Sequence, residues 1–474
     1  MPYNKKQWRL FYDQNAFFAN PPPLRSICII ALILSLCACS LVNDLTSERA
    51  SLSFTITGEL ADRINSASSS RSATLADSGL YLDIALEGNY EDEKTIPISE
   101  GSTVKFENIP TGLSLYATAQ AYEMDGGEKF VFYEGESEKI TIQEGENALS
   151  LFLQKVESDI IRYYISANAE AGGNGSKAKP FQQLANAVEK INDSTKTYWL
   201  IIDGSLAGKQ LLVDDDQIGE VYQAKAIVIK GNSENGADGI NANNENRALT
   251  IGTAVPVTIK NLTITGGNMT ADGGDGGGLY VSNGANVTIA EGTIITGNQA
   301  ERGGGVFVDG TLKMTGGIIS NNTASKFGGG VCLEQSQTAL FTMTGGEISN
   351  NTVNITVNGT GNGGAIWVGQ WVSKIELSNA KISGNTAENN GGGIYIGDTN
   401  GGTHTISGCT ISGNSAGTYG GGIYLDSSLT LTINNSTISG NTAELTNGND
   451  IWKGLYANLP NGPENNPPNV YYAE

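Results

Sequence analysis

Residues 414–425 read NSAGTYGGGIYL, and the same phrase returns as GNQAERGGGVFV, NNTASKFGGGVCL and GNTAENNGGGIYI. Six units from residue 287 onward align on it. Each has a middle strand: VTI (287–289), LKM (312–314), FTM (341–343), IEL (375–377), HTI (404–406) and LTI (431–433). An isoleucine follows in every unit, at Ile295, Ile319, Ile348, Ile382, Ile411 and Ile438. Next come Ser or Thr, then Gly or Asn, and then Asn without exception: Asn298, Asn322, Asn351, Asn385, Asn414 and Asn441. A third strand stands behind the glycines: LYV, VFV, VCL, IWV, IYI or IYL. Three short strands in 24 to 34 residues cannot bury an apolar face alone. Stacked in parallel register, such coils bury every apolar column, so the pattern predicts a parallel β-helix. The Gly/Asn-only position calls for left-handed backbone, which costs most residues about 1–2 kcal/mol. The invariant Asn column predicts a ladder of stacked amides at the ~4.8 Å strand spacing. The glycines read as a tight bend, so the phrase is a corner.

Other features agree with an all-β chain outside the cytoplasm. Glycine supplies 62 of 474 residues, and 49 acidic residues face 28 basic ones. That balance argues against nucleic acid, whose phosphates need Lys and Arg, and disfavours polyanionic substrates. Lys5, Lys6, Arg9 and Arg25 precede the apolar run ICIIALILSL (27–36), too short to span a bilayer and suited to a secretory signal. Leu36-Cys37-Ala38-Cys39 resembles the bacterial lipoprotein lipobox. The resemblance implies cleavage after residue 38 and a lipid on Cys39, hence a membrane-anchored protein of the cell envelope, at the outer membrane or cell surface. Residues 39–50 read as a tether.

Residues 51–156 alternate with period two in seven runs, among them SLSFTIT, LYLDIAL, TVKFENI and ALSLFL, and predict a small antiparallel β-sandwich. The serine-rich run 65–77 reads as a loop. FENIPTGLSLYATAQAY with YEGESEKITIQEGEN is similar to the transthyretin-like modules of bacterial surface proteins, which implies a spacer or binding module. From residue 160 to 456 the chain reads as the β-helix, and 457–474 as a tail. In RYYISANAEAGGNGSKAKPFQQLANAVEKIN (162–192), Phe181, Leu184, Val188 and Ile191 share one face of a short helix. The passage resembles the entry to pectate-lyase-like right-handed β-helices, where a helix covers the first coil and hides its open edge. Gly363-Gly364-Ala365-Ile366 resembles the GGA[ILV] half of the polymorphic outer-membrane-protein repeat, a right-handed β-helix of bacterial adhesins. Five other copies carry Gly for Ala, and Ile stands for Phe in the FxxN half. The resemblance covers about residues 260–450 and implies adhesion, binding or display without catalysis.

Candidate chemistry is sparse. The outward column of the third strand reads Tyr280, Phe307, Cys332, Trp367, Tyr395 and Tyr424. Five stacked aromatics there would offer a platform to sugar rings or to a cell-surface protein. His404 aligns with an inward apolar column and reads as a core residue. Cys409 falls in a small-residue column and Cys332 on a different face, too far apart for a disulfide. The outward middle-strand column, Thr288, Lys313, Thr342, Glu376, Thr405 and Thr432, holds one carboxylate, whereas glycoside cleavage uses two. Polysaccharide lyase or glycoside hydrolase activity, built from loops of the early coils, is the alternative. No cofactor is assigned; calcium at Asp214-Asp215-Asp216 or at Asp272 with Asp275 is the one left open.

Overall fold

The structure is a computed structural model that describes residues 49–57, 80–88, 92–97, 104–125, 128–156, 158–212, 223–233, 237–270, 274–333, 339–354, 361–369, 373–397, 403–426, 429–444, 448–453 and 470–472. Cys39 and its lipobox, the tether up to residue 48, the serine-rich run, Asp214–Asp216, Asp272 and most of the tail lie outside those residues. The chain divides into two compact units, Met1–Ser158 and Asp159–Glu474. No helix among the described residues is long and apolar enough to cross a membrane.

The first unit is a two-sheet sandwich. One sheet orders β4 (Val104–Pro110), β1 (Arg49–Thr57) and β8 (Gly145–Phe152). The other orders β3 (Asp92–Pro97), β2 (Leu80–Gly88), β5 (Ser114–Asp125), β6 (Glu128–Glu136) and β9 (Gln154–Lys155), with β7 (Ile140–Thr141) also on β5. Alternation sends Leu52, Phe54 and Phe106 from one sheet, and Leu82, Ile84, Leu86 and Leu115 from the other, into one core. Each such side chain contributes about 1.5–3 kcal/mol by leaving water. Two details differ from the sequence reading. β1 and β8 pair in parallel, Ala50 opposite Gly145 through Thr57 opposite Phe152; apolar alternation sets which face is buried and not the direction of the partner. β3, DEKTIP, was not legible, because an edge strand with one half-covered face has no buried apolar column to reveal it.

The second unit winds as a right-handed parallel β-helix. Its first sheet holds ten described strands, from Ile160–Ser166 to Thr430–Asn434, and every pairing along it is parallel. A second sheet of nine runs from Ser205–Ala207 to Thr437–Ser439, and carries the repeat isoleucines in direct register. The glycine-led strands form another sheet of ten, ending with Val470–Tyr472 beside Ile451–Lys453. Three strands per coil is a correction: residues just after the ladder Asn make a further sheet of seven two- to five-residue strands, such as Thr386–Ala387. At most one residue in each is buried, so no periodicity announces them. The expected entry helix is shorter than its apolar face implied, α1 spanning Leu184–Val188. Phe181, Leu184, Val188 and Ile191 are nonetheless all buried in the β-helix core, Phe181 through a bridge to Ile165.

Candidate functional site

The invariant asparagines form a continuous ladder. Each backbone N–H and side-chain amide donates to the Oδ1 of the next rung. Asn298 donates to Asn322 at 3.0 Å through both groups, and Asn351 donates to Asn385 at 2.9 and 3.0 Å. Asn385 donates to Asn414, and Asn414 to Asn441, at 2.9–3.0 Å. Each Nδ2 also donates to an isoleucine carbonyl of the preceding coil, as Asn385 does to Ile348 at 3.0 Å. The last rung is not asparagine. Asn441 donates to Oδ1 of Asp450 at 3.2 Å from the backbone and 2.9 Å from the side chain. Accepting from Asn441 is a task a carboxylate can perform. The residue before each rung sits at positive φ, +55° at Asn321 and Asn350 and +67° at Gly384.

The aromatic column also stacks, but not as an open platform. Tyr280 lies on Phe307 at 5.4 Å, Trp367 on Tyr395 at 6.4 Å, and Tyr395 on Tyr424 at 4.9 Å, with rings within 8° of parallel. The break at Cys332 is filled from a neighbouring strand: Phe327 stacks on Trp367 at 4.5 Å. Trp452 continues the file beyond Tyr424 at 4.4 Å. Its alternation in Ile451-Trp452-Lys453 repeats IYL, with only the first of the three glycines kept, at Gly448. Phe307, Cys332 and Trp367 form a buried cluster, 1, 0 and 4% exposed, while Tyr280, Tyr395 and Tyr424 are half-buried. Of the aromatic face expected at Tyr280, Phe307, Trp367, Tyr395 and Tyr424, Phe307 and Trp367 are buried, while Tyr280, Tyr395 and Tyr424 keep part of their surface. Rings stacked face to face spend their faces on one another, and a sugar stacks on a face. The file is cohesive.

Burial pushes the Tyr424 phenol up to about 12, aided by the charge of Asp426, and raises Tyr395 in the same direction. The unfolded chain ionises both near 10. Their share of stability is thus complete below pH 10 and lost as pH rises from there through about 12. Alkaline unfolding followed by far-ultraviolet dichroism should move to higher pH in Tyr424→Phe; an unchanged midpoint would contradict the assignment.

At its early end the file meets a polar corner. Arg247 lies over Tyr280 at 4.3 Å and Arg302 over Phe307 at 5.0 Å. Arg302 grips both oxygens of Asp275 at 2.7 Å, while Arg247 donates to the Asp275 carbonyl at 2.8 and 2.9 Å. Burial raises the Asp275 carboxyl above the ordinary range against the pull of Arg302 and Arg247. Glu301 pairs with Lys326. Sequence spacing did not join these residues, because they come from three coils. Asp275 is engaged by arginine, and its expected partner Asp272 lies outside the described residues. Among the described residues no group of three or more His, Cys, Asp or Glu side chains could hold a metal.

His404 is fully buried opposite Leu431 and accepts a long bond, 3.4 Å, from the Ile375 amide. Cys409 and Cys332 are both buried and form no disulfide. Cys409 sits beside Ser436, whose hydroxyl takes its N–H at 3.1 Å, and burial pushes its thiol up. Cys332 lies among rings, between Phe307 and Trp367 in strand register. The outward column from Thr288 to Thr432 is in register throughout, with Glu376 paired to Lys374 at 2.5 Å.

No curated protein and no solved structure matches the chain. Residues 220–454 match the family model described as a right handed beta helix region. With that match and its coils stacked in parallel, the second unit has the fold of a right-handed parallel β-helix.

Proposed function

We propose a lipid-anchored cell-envelope protein, held through Cys39, whose β-helix serves adhesion, binding or display and does no catalysis. One observation carries this reading: the recurrent polar and aromatic side chains of the coils bond to their own equivalents in neighbouring coils. The Asn ladder ends on Asp450, and the rings face each other. Such files give cohesion and leave the coil surfaces for contact. Carbohydrate or a cell-surface protein is the partner class that an acidic envelope protein suits. The purified full chain, incubated with neutral and acidic glycans, should release no reducing or unsaturated ends. Labelled palmitate should enter the wild type and be lost in Cys39→Ala; label retained in that variant defeats the anchor.

The alternative, a polysaccharide lyase or hydrolase, has Asp275 in its favour, a carboxyl raised by burial beside two guanidinium groups. Turnover abolished by Asp275→Asn would establish it in place of the first reading.

A further inference from the structure

The sandwich presents a second polar surface, built from residues of the first unit. On the outer face of its larger sheet, cross-strand register sets Asp83, Gln120 and Glu134 in one row. Ala85, Thr118 and Glu136 form the next. A β-bulge makes these rows possible. Ala121 pairs with Tyr133 but Tyr122 with Val131, so Phe132 is the extra residue. The bulge changes the parity of β6: Tyr133 turns into the core, 7% exposed, and Glu134 and Glu136 turn out. Between the rows, over the small side chain of Ala85, lies a trough of about 460 Å³. That is within the ~300–1,000 Å³ of small-ligand sites.

The trough ends are built from groups bonded to one another. Asp83 accepts from Lys129 at 2.6 Å, Thr95 at 2.7 Å and Tyr122 at 3.0 Å. Burial opposes its charge, but these bonds outweigh burial and hold the carboxyl below its ordinary range. Glu87 accepts from Tyr116 at 2.6 Å and Thr118 at 3.1 Å. The side chains of Gln120, Glu134 and Glu136 make no hydrogen bond or ion pair among the described residues, and they line the space between those ends.

We infer that this trough binds a neutral polyhydroxyl ligand, one or two sugar rings, through Gln120, Glu134 and Glu136. The two carboxylates only accept, so the ligand must donate; the Gln120 amide at the centre both donates and accepts. A hydroxyl does both, whereas an ammonium only donates. Uronates and phosphates are repelled by the carboxylates. The site stands on the sandwich alone. Glycan turnover would overturn the reading of the β-helix and leave this site untouched.

The full chain is titrated calorimetrically with cellobiose, maltose, lactose and mannobiose, and with hexalysine peptide. At least one disaccharide should bind in the millimolar range or tighter. Gln120→Ala and Glu134→Gln should each weaken it about tenfold, the loss expected for a bond to a charged or buried group. Ala85→Leu, which fills the trough from an outward position, should abolish binding with the thermal midpoint unchanged. Tyr424→Phe in the β-helix should leave affinity as it was. Failure of all four sugars at about 10 mM, hexalysine binding in their place, or binding that survives Ala85→Leu would each overturn the inference.

Discussion

Replacing Asn385 by alanine should lower the stability of the β-helix by about 3–5 kcal/mol, from a single truncated side chain. The amide oxygen of Asn385 receives the Asn351 backbone N–H at 2.9 Å and the Asn351 side chain at 3.0 Å. Its nitrogen reaches Ile348 O, Ser383 O and Asn414 Oδ1 at 2.9–3.1 Å. Apart from the part-buried Ser383 carbonyl, these groups are buried, so the partners left behind have no substitute. The ladder has a direction, and the damage should share it. Hydrogen exchange at the Asn351 amide should accelerate strongly. The Asn414 amide, which donates onward to Asn441 at 3.0 Å, should keep its protection. Asn385→Asp should cost at least as much at neutral pH. Its acceptor survives, but a buried carboxylate would face three acceptor oxygens. Urea unfolding with site-resolved exchange measures both effects. A loss under about 1 kcal/mol, or deprotection on the Asn414 side alone, would show that the ladder does not hold the coils.

The second large effect is expected at the glycines. Gly391 needs its glycine for a φ of +68°. Gly392 needs it for a different reason: a Cβ there would lie 2.3 Å from the Ser415 carbonyl oxygen and 2.5 Å from that of Gly421. Both are backbone atoms of the following coil and cannot swing aside. Gly392→Val should therefore force coils apart and cost roughly 5 kcal/mol or more, read as loss of soluble, folded protein on expression. Gly440→Asn is the control. It has positive φ, +67°, with open space around a Cβ, and Asn occupies the same column at Asn321 and Asn350. That variant should stay within about 1 kcal/mol of the wild type. Equal tolerance of both substitutions would remove close coil packing as the cause of the triple glycine.

These two positions show how far the repeat could be read from the chain alone. The Asn column and the left-handed residue before it were legible because every coil meets the same neighbours and solves the same problem with the same residue. The triple glycine was legible as a corner, yet only coordinates separate its first residue, which bends the chain, from its second, which lets the next coil approach. The aromatic column was legible as a file and not as a buried one. Trp367 is covered by Phe327, which belongs to a short strand with no periodic signature, and Phe307 by Arg302. The polar corner of Asp275, Arg302 and Arg247, and the trough around Gln120, join residues far apart in the chain, so no local spacing foretold them.

Local repetition of apolar, asparagine and glycine positions was enough to dictate an all-β winding with parallel stacked coils, because each coil is held chiefly by identical contacts to the next. Strand direction in the sandwich, the extra sheet at the corner, and which rings and carboxylates remain open to a ligand were decided only by tertiary structure. Those outcomes depend on irregular segments folding over regular ones, and such contacts leave no period in the sequence.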